Sequence, residues 1–378
     1  MKEIKVAIIG GAGFMGYVHS LGWALAPVAA ETGARIRKVV LVEADDERAS
    51  AAAEKYGWET SSSDWRGVIA RDDIDIIDIV TPPNSHSEIA LAAIAAGKHV
   101  FVEKPITNSA AEGLEMAEAG RAAGVVTQVG FNYRHTPALT YIKKLLDDGT
   151  LGTPLQFRAH YLQDLGFTVG DLGWRSKKST GGSGASGDIG SHIVDLAEYL
   201  LGDIERVTSL VRSKKPGTDA AWLDDEERVS GDLLDDTALW MAEFAGGAIG
   251  SFATSIFSSG RQNRIFFELE CTKGSVEFDW NRREEIMLSL SSDPAEQRGF
   301  RTILLNEQHE NVWWPIGGIG TGYIDGTAIQ LQRFVKSIVA AGPSAPDFGA
   351  ATHVQQVIDA VIESGASRAW VDVPATAR

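Results

Sequence analysis

The stretch KVAIIGGAGFMG (residues 5–16) is an apolar strand that runs straight into Gly11-x-Gly13-x-x-Gly16 and then toward a helix. That order has a physical reading. Gly11 permits the tight turn, Gly13 lets the backbone approach a pyrophosphate, and Gly16 permits close helix–strand packing. A helix N-terminus adds partial positive charge, so the loop, with Phe14 and Met15 inside it, reads as a cradle for a dinucleotide. The following strand, RKVVLVE, ends at Glu43. A carboxylate there can accept hydrogen bonds from the adenosine ribose and would repel a 2′-phosphate, which favours NAD over NADP. Glu43 stands further beyond the glycines than the usual ~20 residues. A long first helix and the segment around Pro27 account for the excess. The competing reading of Glu43 is a solvated residue at a strand end.

Strand and helix signals then alternate. DIDIIDIVTPPNSH (73–86) and KHVFVEKP (98–105) read as strands that end in loops, with the helix SEIALAAIAAG between them. A helix over about 109–123 leads to the strand VVTQVGFN (125–132). Such alternation predicts a parallel sheet with helices on both faces, and ligands gather at the carboxyl ends of its strands. Thr81, Pro82, Asn84 and His86 stand at one end, Glu103, Lys104 and Pro105 at the next, and Asn132, Tyr133 and Arg134 at the last. Lys104 could donate to a substrate oxygen beside a nicotinamide. Without context a lysine before a proline is usually a solvated turn residue. Pro105 is a candidate for a cis bond.

Beyond about residue 150 the period changes. LQFRAHYL, TALWMAEF, AIGSFATSIF, RIFFELEC and SVEFDW are rich in β-branched and aromatic residues and follow one another across short turns. The predicted fold class is therefore α/β plus α+β. A Rossmann dinucleotide-binding domain over residues 1–130 precedes a second domain over 131–378 with a large, mostly antiparallel open sheet. In DTALWMAEF one face carries Ala238, Trp240, Ala242 and Phe244, the other Leu239 and Met241. Both faces are apolar and want cover. Helices can shield one and a second subunit the other, so a homo-oligomer is expected. AIQLQRFVKSIVAAG (328–342) and HVQQVIDAVIESGAS (353–367) have helical spacing.

The second chemical signal is GGSGASGDIGSHIVD (181–195). Asp188 and His192 are four residues apart at the entrance to a helix, so their side chains face one way. Histidine suits proton transfer near neutral pH, and a neighbouring carboxylate can raise its basicity or grip a sugar hydroxyl. Bulk properties narrow the class. Lys+Arg 35 against Asp+Glu 51 leaves a net charge of −16, which disfavours a nucleic-acid partner. The single cysteine, Cys271, cannot form an internal disulfide, and no Cys/His cluster suggests a metal. A reducing cytoplasm fits. No apolar run approaches the ~20 residues of a membrane span, and a strand beginning by about Ile4 leaves no room for a signal peptide. The acidic segment DAAWLDDEERVSGDLLDD (219–236) reads as a solvated loop. His309, Trp313 and Trp314 could wall a sugar site or serve only in packing.

GGAGFMG, then EKP, then NYRHTPA (132–138) and GGSGASGDIGSH, in this order over nearly the whole chain, resemble the Gfo/Idh/MocA family of oxidoreductases. WR, a glycine-rich run and GDIGSHIVDL look most like its NAD-dependent inositol and sugar dehydrogenases. The resemblance implies that Lys104 contacts the reacting hydroxyl and the cofactor, that His192 is the general acid/base and that Asp188 is its partner carboxylate. Trp174 and Arg175 match the pair bordering the substrate. It implies dimers or tetramers built on the second-domain sheet, NAD as cofactor, no metal, and a polyol or sugar as substrate. The segment WWPIGGIGTGYIDG (313–326) departs from the inositol and L-glucose dehydrogenases, where a histidine often appears, and this leaves the substrate open. Three other readings share the scaffold: an NAD-dependent glycosidase that oxidises transiently, an NADPH-linked sugar reductase, and a sensor that binds dinucleotide without turnover. Glu43 disfavours the reductase. The joint presence of Lys104, Asp188 and His192 disfavours the sensor.

Overall fold

The computed structural model describes residues 2–29, 32–169, 173–214, 221–223, 234–312 and 314–375. Six strands make the sheet of the first unit, with apolar runs in the central ones: β1 (Lys2–Ile9), β2 (Ala34–Val42), the short polar edge strand β3 (Thr60–Ser62), β4 (Ile76–Ile79), β5 (His99–Val102) and β6 (Thr127–Val129). They pair in parallel in the order β3-β2-β1-β4-β5-β6. The order reverses between β1 and β4, and a crevice at the carboxyl ends of the strands opens at such a reversal. Ile4, Val6, Ile8, Leu41, Ile76 and Phe101 form the sheet side of the core, against Trp23 and Ala26 of the helix Phe14–Ala29. Pro27 lies in the last turn of that helix, so a long first helix does precede Glu43.

The domain expectation needs correction here. The first compact unit comprises Met1–His135 together with Gly322–Thr352; the second comprises Thr136–Thr321 and His353–Arg378. The helix Tyr323–Ala340 returns to the first unit because its apolar stripe is wanted there. Leu331, Phe334, Val335 and Ile338 complete the cluster around Trp23, and the Phe334 ring meets Phe101 edge-on at 5.6 Å. A boundary at residue 130 would leave that stripe exposed.

In the second unit, nine strands among the described residues form one sheet. They are β7 (Pro154–Leu162), β8 (Ile204–Arg212), β9 (Thr237–Phe244), β10 (Ile249–Ser255), β11 (Arg264–Cys271), β12 (Gly274–Asp279), β13 (Glu285–Leu290), β14 (Arg301–Leu304) and β15 (Val371–Asp372). Their order is β14-β13-β12-β11-β7-β10-β9-β8-β15, antiparallel except for β7 beside β10. Period-2 alternation sorts the faces as expected. Ala238, Trp240, Ala242 and Phe244 are buried, Trp240 stacking on Phe252 at 5.1 Å, whereas Leu239 and Met241 are 56% and 54% exposed. Leu210 and Ile249 are exposed with them. The buried face packs beneath the helix Ser191–Leu201, which hides Ile193, Val194, Leu196 and Ala197.

Candidate active site

The glycine loop leaves β1 at Gly10, whose N–H donates to Val42 O at 2.9 Å; Gly11 N–H follows at 3.1 Å. A Cβ at Gly16 would lie 2.1 Å from Gly11 O, so this glycine is demanded by the protein's own packing. Gly13 differs. A Cβ there would meet only Gly10 O, at 3.8 Å, which is ordinary contact. Among the described residues nothing needs a glycine at 13, and its missing side chain keeps the loop open toward solvent, as an approaching pyrophosphate requires. Phe14 beside it is exposed and Met15 partly so. Glu43 follows β2 directly. One of its oxygens accepts from Ala12 N at 3.3 Å and the other from Ala44 N at 3.1 Å. The carboxylate is thus tied to the glycine loop, with part of its surface left open. This donor and acceptor set fits a dinucleotide.

At the ends of β4 and β5 the expected residues divide. Thr81 and Pro82 are partly buried and Asn84 is exposed, on the surface a ligand would use. His86 is corrected. Its ring is wholly buried, with Nε2 2.8 Å from Thr81 O and Nδ1 3.1 and 3.2 Å from Pro105 O and Ile106 O. Burial lowers its pKa. It therefore joins the Thr81 loop to the Pro105 loop from inside and cannot touch a cofactor directly. Asn132 and Tyr133 are buried too, Asn132 donating to Thr327 Oγ1 at 3.2 Å and Tyr133 meeting Tyr323 edge-on.

Lys104 follows β5, is partly buried, and precedes a cis peptide bond to Pro105. Its backbone is held by Glu103, whose Oε2 accepts Lys104 N–H at 3.0 Å. The other Glu103 oxygen lies 3.0 Å from His19 Nε2, and Asp78 Oδ2 lies 2.9 Å from His19 Nδ1. Trp23 Nε1 donates to the same Asp78 oxygen at 2.7 Å. Burial alone would favour a neutral His19. The charge and hydrogen bond of Asp78, with those of Glu103, outweigh it and raise the pKa to about 10. Sequence reading missed this charged group beneath Lys104. A signal was present: Asp78 is a carboxylate in the middle of the strand IIDI, and a charge in a buried parallel strand needs a partner.

The second unit brings Asp188, Arg175 and His192 onto neighbouring segments. Arg175 Nε lies 3.4 Å from Asp188 Oδ2, both side chains keeping some exposure. Ser186–Gly190 is a π-helical turn that leads directly into the helix Ser191–Leu201, so Asp188 sits on a widened turn rather than a regular one. His192 is 4% exposed, with its ring 5.9 Å from that of Tyr161. The side chain of Trp174 and all of Trp313 lie outside the described residues. His309 packs edge-on to Tyr141 at 4.6 Å, and Trp314 is exposed. The solvated reading of 219–236 fails at its end, since Asp235 is buried. Most of that segment lies outside the described residues. Among the described residues no His/Cys/Asp/Glu group could hold a metal ion, and no helix is long and apolar enough to cross a membrane.

Comparison with known proteins bears on both units. Residues 4–131 match the family described as "Oxidoreductase family, NAD-binding Rossmann fold", and residues 139–277 match the "GFO/IDH/MocA C-terminal domain". Levoglucosan dehydrogenase of Pseudarthrobacter phenanthrenivorans is 39% identical over 99% of this chain and 99% of its own. The NAD-dependent scyllo-inositol 2-dehydrogenase of Bacillus subtilis is 30% identical over 76% of this chain and 77% of its own. A solved levoglucosan dehydrogenase in complex with NADH and levoglucosan superposes with a TM-score of 0.93 at 39% identity, covering 99% of this chain and 100% of that one.

Proposed function

Because the chain belongs to the GFO/IDH/MocA family of NAD-dependent oxidoreductases, we propose that it oxidises a secondary hydroxyl of a pyranose of the anhydrosugar class to a ketone. One observation carries the chemistry. A lysine gripped through its backbone at the end of β5, and a buried histidine one turn from an arginine-paired aspartate, are the groups alcohol oxidation needs. The substrate class is supported by the 39% identity to levoglucosan dehydrogenase over essentially both chains.

The loop from Gly11 to Gly16 and the Glu43 carboxylate hold NAD. When bound, NAD supplies the acceptor for the hydrogen and electron pair that leave the carbon. His192 takes the hydroxyl proton as general base. Lys104 acts as the hydrogen-bond donor that stabilises negative charge on a substrate oxygen. Asp188 and Arg175 hold neighbouring hydroxyls, the carboxylate accepting and the guanidinium donating. The lysine provides the positive charge that a metal would otherwise supply.

A panel of anhydrosugars, aldoses and inositols, run with NAD⁺ and NADP⁺ in parallel, tests this reading through the absorbance of the reduced nicotinamide. Levoglucosan and related pyranoses should react with NAD⁺, and NADP⁺ should lag because Glu43 repels a 2′-phosphate. Reduction by inositols alone would move the substrate class. Glycoside cleavage without net NADH would replace the reaction.

The uncovered sheet face belongs to the same proposal. Leu210, Leu239, Met241 and Ile249 lie on the face that carries Phe266, His160 and the Arg158–Glu268 pair, and exposed apolar side chains gathered on one face mark a surface for a partner. A second copy of this sheet is the proposed cover. The wild type should sediment as an assembly, and a Leu239→Glu/Met241→Glu variant as a single chain. A wild type that is monomeric at micromolar concentration ends the idea.

A further inference from the structure

The run Gly182–Gly187 has too many glycines to hold one conformation by itself, yet it carries the turn on which Asp188 sits. Something outside it must fix it. Asp235, 51 positions away, lies alongside. Its Oδ1 accepts Gly184 N–H at 2.8 Å, and its Oδ2 accepts both Ser186 N–H at 2.7 Å and Ser186 Oγ–H at 2.8 Å. Ala185 N–H donates to the Asp235 carbonyl, again at 2.8 Å. The approach is close enough that a Cβ at Gly184 would lie 1.9 Å from that carbonyl oxygen, so no side chain can stand there. Asp235 is itself held. The next residue, Asp236, accepts Lys214 N–H at 2.6 Å, donates its own N–H to Arg212 O and accepts Ile256 N–H, which ties the pair to the ends of β8 and β10.

A buried carboxylate that spends both oxygens on one short stretch of backbone is acting on that stretch. We propose that Asp235 is a positioning residue for the proposed site: it clamps Gly184–Ser186 so that the following turn presents Asp188 and His192 in a single arrangement. The clamp supplies hydrogen-bond acceptors to N–H groups at the start of the Ser186–Gly190 turn, the place a capping side chain would normally occupy. Here no residue of the segment caps it. Asp188 is two residues beyond the last clamped N–H, and His192 follows one turn later. Asp235 touches no reacting atom in this account. Burial raises the pKa of its carboxyl, and the Ser186 and Gly184 donors oppose that shift without cancelling it.

The inference rests on Asp188 and His192 being site residues, and the experiment separates the two claims. Asp235→Asn keeps the shape but turns an N–H₂ against at least one backbone N–H. It should lower kcat by about 30-fold, the scale of a small misplacement of catalytic groups. NAD affinity, read by nicotinamide fluorescence, should stay within about twofold, since the glycine loop belongs to the other unit. Ser186→Ala removes one of the three bonds and should lower kcat by about threefold. The His192 ring resonances, followed by NMR on histidine-labelled protein, should shift in both variants and need no substrate. If Asp235→Asn does not fold, Ser186→Ala decides: a lower kcat at unchanged NAD affinity supports the clamp. Folded variants with wild-type kcat and unmoved His192 ring resonances overturn it, as does activity that falls only in step with NAD binding. If His192→Ala retains full activity, the reading of the site fails instead.

Discussion

Lys104→Ala should lower kcat by about 10³-fold on the sugar that the wild type oxidises best, while NAD affinity should stay within a few-fold of wild type. The size follows from what the side chain is asked to do. A secondary alcohol is a poor acid, and its oxygen carries negative charge as the proton and the carbon-bound hydrogen depart. An ammonium within hydrogen-bond reach is worth several kcal/mol at that moment and little beforehand, so its loss falls on kcat more than on KM. Lys104→Arg should not restore the rate. A planar guanidinium cannot put its donors where the compact ammonium stood. Steady-state kinetics with a separate NAD titration check both variants. Wild-type kcat in Lys104→Ala removes the lysine from the mechanism.

The second large effect lies beneath that lysine. His19→Ala leaves Asp78 and Glu103 buried at 0% and 6% exposure without the imidazolium between them. Breaking a buried ion pair by removing one partner costs about 3–5 kcal/mol. The thermal transition should drop by roughly 10 °C, and the rate should fall because Glu103 no longer holds the Lys104 backbone. The pH dependence has a definite sign. His19 titrates at about 10 when folded and at its ordinary value of 6.5 when unfolded. Its contribution is therefore complete below pH 6.5 and is lost progressively as pH climbs toward 10. Wild-type Tm should decline across that interval, and a His19→Gln variant should lack this part of the decline. Calorimetry at pH 6, 8 and 10 reads the difference. Parallel curves for the two proteins mean that His19 is neutral.

These two side chains mark how far the sequence could be read. Lys104 was visible as a cation at a strand end beside a nucleotide loop, because strands end where apolar runs end. His19 was not, although it lies three residues past Gly16. Within its helix it is one polar residue among apolar ones, and nothing local says that carboxylates 59 and 84 positions away will meet it. The same holds for His86, which looked like a ligand residue from its place in the loop and is enclosed by carbonyl oxygens instead. Asp235 was hidden by its neighbours, since an aspartate ending an acidic run looks solvated.

The sequence alone settled what depends on neighbours in the chain. The alternation that makes a parallel sheet and the two-residue period that buries Trp240 and exposes Leu239 are local patterns, and they sufficed. Tertiary structure alone decided which distant segments share an environment. It returned Tyr323–Ala340 to the first unit, charged a histidine between two carboxylates, and laid Asp235 along the glycines before Asp188. The physical reason is common to all three. Burial and electrostatic pairing are set by whatever the folded chain brings near, and periodicity carries no record of it.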